Sequence, residues 1–418
     1  MVYISRIEKQ LLELAEIGKI SETGVSRLAH SPEDREAINL VETWMIDVGM
    51  SVTIDSFSNV IGVYPGKNPQ LPPVVIGSHI DTQPYAGRFD GTIGVLGAIE
   101  VIRLLKEKNI QPNRTIEVVA FSDEEGCRFN KGLFGVRGLT GKLEENELDR
   151  KDQNGITRKE ALERIGIEVN RTQEPRYMPE NVCAFIEMHI EQGPILESKD
   201  LAVGIVSGIS GPLWLTVEFK GHSGHAGAVP MNLRQDALVG ASRVIYLFDE
   251  MLKDNPDHPT VGTAGHIVNF PNSRNTISEH VTFTVDLRDI DPKRRSHYEK
   301  TLYNLIESTA EKYNLDYSIT KDTNSHPKYC ADWIKAIMAE ELAKMGHQPF
   351  ELMSGPFHDS LIMADCCPYG MIFVRCKDGI SHHPKEFASM EDIAIGTELL
   401  YRTVLRIAAK NEILEGSQ

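Results

Sequence analysis

Two kinds of hydrophobic patterning divide the chain. From "PPVVIG" onward, continuous apolar runs alternate with helical patterns, as expected for a mostly parallel mixed sheet with helices on both faces. "GVLGAIEVIRLLKE" reads as a helix, "TIEVVAFSDEEG" as a strand ending in acids, and "VCAFIEMHIEQG" as a strand ending in polar groups. These candidate strands carry their polar residues at the C-terminal end, where open parallel sheets gather ligands. The motifs are therefore expected to converge in space.

Near Gly211 the pattern changes to strict alternation. In "HVTFTVDLRDID", Val281, Phe283, Val285 and Leu287 fall on one face and Thr282, Thr284, Asp286 and Arg288 on the other; "LWLTVEFKG" alternates too. Helices are predicted in "MNLRQDALVGASRVIYLFDEML" and "KRRSHYEKTLYNLIESTAEKY", and the order fits a small α+β sandwich at residues 211–320. Beyond it, "ADWIKAIMAEELAKMG", "YGMIFVRC" and "EDIAIGTELLYRTVLRIAAK" return to helix, strand, helix. Residues 1–210 and 321–418 thus read as one discontinuous α/β domain around an insertion.

The opening segment "MVYISRIEKQLLELAEIGKIS" is charged throughout and predicts an amphipathic helix rather than a signal core. No apolar run approaches a membrane span, so no membrane partner is expected. A length of 418 residues agrees with two domains. The net charge of -16 argues against nucleic acid or anionic lipid as a partner. Six scattered cysteines lack the spacing of a disulfide framework or a paired-cysteine zinc site, and predict reduced thiols in a cytoplasmic protein.

"GSHIDTQPYAGRFDG", Gly77 to Gly91, ends a predicted buried strand in His79, Asp81 and Asp90. Burying such groups is costly unless they pair with one another or hold a cation. With Glu124, Glu125, His189 and His382, they make a set of imidazoles and carboxylates without thiolate, suited to Zn, Mn, Co or Ni. Asp90 could bridge two ions, and such a pair polarises a carbonyl and activates water. Asp81 would then accept the other ring N–H of His79. Adjacent strand residues face opposite ways, so Glu124 and Glu125 take different roles only where the chain turns at Gly126. Glu124 is expected as general base and Glu125 as ligand.

The motifs "GSHIDT", "GRFDGTIGVLGAIEVI", "FSDEEGCRF", "EMHIEQGPILE", "GHAGAVPM", "DLRDID" and "GISHHP" together resemble the amidohydrolase branch of the aminoacylase-type dinuclear metallopeptidases, which includes N-carbamoyl-L-amino acid hydrolases and allantoate amidohydrolases. The resemblance implies two divalent ions per subunit, one held by His79, Asp90 and His189 and the other by Asp90, Glu125 and His382, with His382 preferred to His383. It implies a lid and homodimerisation role for residues 211–320. It implies that His225 polarises the scissile carbonyl, often from the partner subunit, and that Asn275 and Arg288 grip a substrate carboxylate. Gln192 and His358 are further substrate-binding candidates, and Arg288 has the alternative of pairing with Asp286 or Asp289. Histidine at 189, where peptide-cleaving relatives carry a carboxylate, favours a small carbamoyl or ureido acid.

The expected reaction is hydrolysis of an N-carbamoyl-L-amino acid to amino acid, ammonia and carbon dioxide. Allantoate or another ureido acid, including N-carbamoyl-β-alanine, is the alternative. An aminoacylase, a dipeptidase or a non-catalytic metal-holding protein is less favoured. Departures from the family pattern are Ala86-Gly87 for Gly-Gly, "GVR" at Gly135 to Arg137 for "GSR", and "SGPFHDS" at Ser354 to Ser360 for "SGAGHDA".

Overall fold

The structure, a computed structural model, describes residues 2–170 and 174–410. It divides into two compact units, one running to Ser207 and resuming at Cys330, the other Gly208–Tyr329. In the first, strands lie side by side in the order Ser51–Ile54, Val60–Tyr64, Ile116–Phe121, Val74–His79, Ala184–Ile190, Tyr369–Val374 and Val203–Ile209. The middle four are mutually parallel, and the outer ones join antiparallel.

Alternation along these strands sorts packing from chemistry. Val74, Ile76, Val118, Ala120, Ile186 and Met188 share a core with Ile93, Leu96, Leu400 and Val404, from helices Thr92–Glu107 and Met390–Ala408. The intervening positions put Glu117, Glu187 and His189 on the opposite face. Glu117 accepts from Tyr177 Oη at 2.7 Å, and Glu187 accepts from Ser360 Oγ at 2.6 Å. Period-two geometry thus gives one face of the sheet to the apolar core and leaves the other for polar groups.

In the second unit, Gly211–Lys220 and His280–Asp289 pair antiparallel along their whole length. Their inward residues, Leu213, Leu215, Val217, Phe219, Val281, Phe283, Val285 and Leu287, pack on Ala241, Val244 and Phe248 of helix Ala237–Lys253 and on Leu302 and Ile306 of helix Pro292–Tyr313. Strand Asp316–Asn324 pairs with Gly211–Lys220 from Asp316 opposite Lys220 to Asn324 opposite Leu213. A boundary at residue 320 would cut this strand, so the unit extends beyond the span expected from the pattern. Among the described residues no helix is long and apolar enough to cross a membrane. All six cysteines are unpaired.

Candidate metal and catalytic site

His79 is the last residue of Val74–His79, His189 the penultimate one of Ala184–Ile190, and Glu124 and Glu125 follow Ile116–Phe121. Parallel pairing brings these C-terminal ends together. Asp90 arrives on the loop before helix Thr92–Glu107, and His382 on the loop after Tyr369–Val374. Gly91 has φ +61°, and a Cβ there would lie 2.4 Å from His79 Nε2, so only glycine lets the backbone pass the imidazole.

Two groups of possible ligand atoms result, each with its atoms within 4.8 Å of one another: His79, Asp90 and His189, and Asp90, Glu125 and His382. Asp90 belongs to both. Its Oδ1 lies 3.0 Å from His189 Nε2 and 3.5 Å from His79 Nε2, while its Oδ2 lies 3.2 Å from His382 Nε2. His382 Nε2 is also 3.5 Å from Glu125 Oε2. The ring of His383 instead packs edge-on against Tyr85.

Hydrogen bonds decide which ring nitrogens are available. His79 Nδ1 lies 3.0 Å from the Asp81 carbonyl oxygen and His189 Nδ1 2.9 Å from that of Ile190. A carbonyl only accepts, so both rings carry a proton on Nδ1 and turn Nε2 into the cluster as the nitrogen that would bind an ion. The Gly91 N–H, 3.1 Å from His189 Nε2, requires the same tautomer. The Asp81 acceptor is therefore its backbone carbonyl and not its carboxylate. The carboxylate accepts from the backbone N–H groups of Glu124 at 3.2 Å and Glu125 at 3.3 Å, pinning the turn that separates the two acids.

The electrostatics call for a cation. Burial pushes Glu124 well above the usual carboxylate range, with Asp359, Glu125 and Asp81 adding to it and His79 opposing. Burial likewise lifts Glu125 to about 7, Asp90 adding and His382 opposing. Burial pulls His79 down, but Glu124, Asp90 and Asp81 outweigh it and hold the ring well above its ordinary value. For Asp90, three imidazoles overcome burial and keep it ionised. Glu125 Oε1 is buried with no hydrogen-bond partner. Lone pairs aimed inward, a shared carboxylate and an orphaned oxygen are what two divalent ions would satisfy.

Glu124 Oε2 stands 3.7 Å from His79 Nε2, beside this cluster. Gln192, a substrate-binding candidate, donates from Nε2 to Asp90 Oδ2 at 2.8 Å. His358 is fully buried, its ring centroid 4.4 Å from that of His189 and its Nε2 3.0 Å from Ser354 Oγ. That position packs it against His189, a ligand candidate. In the inserted unit, the His225 and Asn275 loops are joined by Ala226 N–H to the Asn275 carbonyl at 2.9 Å. Arg288 forks onto Asp286, with Nε 3.0 Å and Nη2 2.8 Å from Oδ2.

Sequence reasoning missed three neighbours. Gln83 Nε2 donates to Glu125 Oε2 at 2.7 Å, Ser381 Oγ lies 2.8 Å from Asp90 Oδ2, and Glu386 accepts from the Asp90 backbone at 3.1 Å. All lie in loops, where no periodicity marks them, although Ser381 and Glu386 flank the histidines of "SHHPKE".

A model of peptidase family M20/M25/M40 matches residues 75–406. An N-carbamoyl-L-amino-acid amidohydrolase of Pseudomonas sp. strain NS671 is 43% identical over 96% of this chain and 97% of its own. An allantoate deiminase of Arabidopsis thaliana is 35% identical over 94% of this chain and 81% of its own. The crystal structure of an amidase of the hydantoinase/carbamoylase family from Burkholderia multivorans superposes with TM-score 0.91 at 36% identity, covering 98% of each chain. Sequence and fold thus agree over nearly the whole length, and the chain belongs to peptidase family M20/M25/M40, in its hydantoinase/carbamoylase-type amidase branch.

Proposed function

We propose that the protein hydrolyses the carbamoyl C–N bond of N-carbamoyl-L-amino acids, adding water and releasing the amino acid, ammonia and carbon dioxide. The observation that carries this is the pair of three-residue clusters sharing Asp90, with His189 in the first and Glu124 3.7 Å from His79. Two divalent ions, drawn from Zn, Mn, Co or Ni, would polarise the carbonyl and acidify a water there. His79, Asp90 and His189 would hold one, and Asp90, Glu125 and His382 the other.

Glu124 takes the proton of the attacking water and delivers it to the departing nitrogen. Its burial favours holding that proton between the two steps. His225 Nδ1 accepts the Gly227 N–H at 3.1 Å, so the neutral ring carries its proton on Nε2 and can donate to the carbonyl oxygen as charge builds there. Arg288 and the amide N–H groups of Asn275, whose Oδ1 is engaged by Ser273, bind the substrate carboxylate.

The inserted unit serves as lid and as homodimer interface. Val261, Ile267, Val268 and Phe270, on the short strands beside His280–Asp289, are all exposed, which suits a second copy of this chain. The unpaired thiols suit a cytoplasmic location.

The test is Glu124→Gln. Metal content should stay at the wild-type level while ammonia release falls by about 10²–10⁴-fold; near-normal turnover overturns the proposal. Relative kcat/KM on N-carbamoyl-L-amino acids, allantoate and N-carbamoyl-β-alanine names the substrate. The 43% identity to the carbamoyl amidohydrolase, against 35% to the allantoate deiminase, favours the first class.

A further inference from the structure

Asp90 and His382 are almost three hundred residues apart in sequence, yet Asp90 Oδ2 and His382 Nε2 must stay aligned if they are to share an ion. Helix and strand packing fixes His79 and His189, which sit within or at the end of buried strands. It does not fix His382, which is on a loop, 45% exposed at its side chain, with φ +55°. Something else must hold the two loops together.

Glu386 makes that connection. Its side chain is buried, 3% exposed. Oε1 accepts the backbone N–H groups of Phe89 at 2.8 Å and Asp90 at 3.1 Å, so it grips the loop that presents Asp90. Oε2 lies 3.2 Å from Ser381 Oγ, and that hydroxyl lies 2.8 Å from Asp90 Oδ2. Ser381 immediately precedes His382, so one carboxylate ties the backbone of the first loop to the residue that leads into the ligand on the second.

The loop closes on itself by Glu386 N–H to the His383 carbonyl at 2.9 Å and is tied to the N-terminal segment by Thr23 Oγ1 to the Pro384 carbonyl at 2.6 Å. It is also touched by Gln192 Nε2, 3.3 Å from both Ser381 Oγ and His382 Nε2, so Glu386 is the buried part of a tie that Gln192 supplements at the surface. Gly87 makes room for the clamp, since a Cβ there would lie 2.5 Å from the Glu386 side chain. This also rationalises Ala86-Gly87: the second glycine is needed and the first is not.

We infer that Glu386, acting with Ser381, is a positioning residue for the second metal cluster, and that the ion held by Asp90, Glu125 and His382 binds at full affinity only while this clamp is intact. The inference rests on the two-ion reading of the site. It sets the two clusters apart: the first is built on strand ends and should keep its affinity on loss of the clamp, whereas the second should not.

The test is titration of Mn²⁺ into metal-stripped wild-type protein, Glu386→Leu, Glu386→Gln and Ser381→Ala, followed by calorimetry and by electron paramagnetic resonance. Wild type should take up two ions. Glu386→Leu should keep one at near wild-type affinity, which also shows that it is folded, and bind the second about 10–100-fold more weakly. The exchange-coupled manganese signal should give way to that of an isolated ion. Glu386→Gln, which keeps an acceptor for the Phe89 and Asp90 amides, should recover part of the second affinity, and Ser381→Ala should lose less than Glu386→Leu. If wild type binds two ions and the variants bind both as tightly, or lose both equally, the Glu386 assignment is overturned and the two-ion reading stands. If wild type itself takes up no second ion, the two-ion reading falls and the assignment falls with it.

Discussion

The carboxylate of Asp81 accepts the backbone N–H of Glu124 at 3.2 Å, while its own backbone carbonyl lies 3.0 Å from His79 Nδ1. One residue therefore orients both the base candidate and a ligand candidate, through different atoms. The side chain serves the turn that aims Glu124, and the main chain sets the His79 tautomer.

That division predicts the phenotype of Asp81→Ala. The carbonyl survives the substitution, so the ion at His79 should be retained, whereas kcat should fall by about 10–100-fold as the Glu124 turn loosens. Metal analysis beside steady-state kinetics checks this. Loss of the first ion in the variant would mean that the carboxylate orients His79 after all.

The same turn is braced from below by Arg158. Its guanidinium is fully buried, with Nη2 2.8 Å from Asp123 Oδ2 and Nη1 2.6 Å from Glu147 Oε1, and it lies 4.3 Å from the centre of the Phe134 ring. Arg137, which "GVR" shares with the family's "GSR", forks onto Glu147 at 2.5 and 2.9 Å, while Val136, the departing residue, is buried. Arg158→Met would leave Asp123 buried without a cation and should destabilise the fold by about 3–5 kcal/mol. Urea unfolding measures it, and a change below about 1 kcal/mol would show that the network reorganises.

Metal affinity should depend on pH with a definite sign. The hydrogen bond to Asp90 is the main cause that lifts His382 to about 9, burial opposing and Glu125 adding. Below that value the metal-free ring is protonated, and an ion must displace the proton. Affinity at the second cluster should therefore rise up to about pH 9 and then level off, approaching tenfold per pH unit above pH 7 for the one proton that His382 releases. It should rise more steeply below pH 7, where Glu125, lifted to about 7, must give up its proton too. Mn²⁺ titrations at pH 6, 7 and 8 check this, and a flat profile contradicts it.

The parts of the molecule that were legible in sequence are those where a period or a strand end carries the information. Val281, Phe283, Val285 and Leu287 point inward as alternation requires, and His79 and His189 meet because parallel strands end together. Loop contacts were not legible. Glu386 reaches Asp90 across a separation that leaves no local signature, and Gln192 turns to Asp90 through a backbone with φ +58°. The Asp81 case is subtler: its proximity to His79 was readable, but whether a carbonyl or a carboxylate faces the ring depends on how the chain leaves the strand.

Arg288 and Asp286 lie two residues apart on one face of their strand and form a forked ion pair. A guanidinium engaged this way is pre-aligned for a carboxylate but must share or leave Asp286 to bind one. Arg288→Lys should raise KM about 10–100-fold with kcat little changed, since a lysine loses the two-pronged geometry while keeping the charge. Asp286→Asn should lower KM by weakening the competitor. The decisive comparison uses an N-carbamoyl amino acid and its C-terminal amide: wild type should prefer the acid, and Arg288→Lys should lose most of that preference. An unchanged preference would mean that Arg288 serves its strand and that the substrate carboxylate is recognised elsewhere.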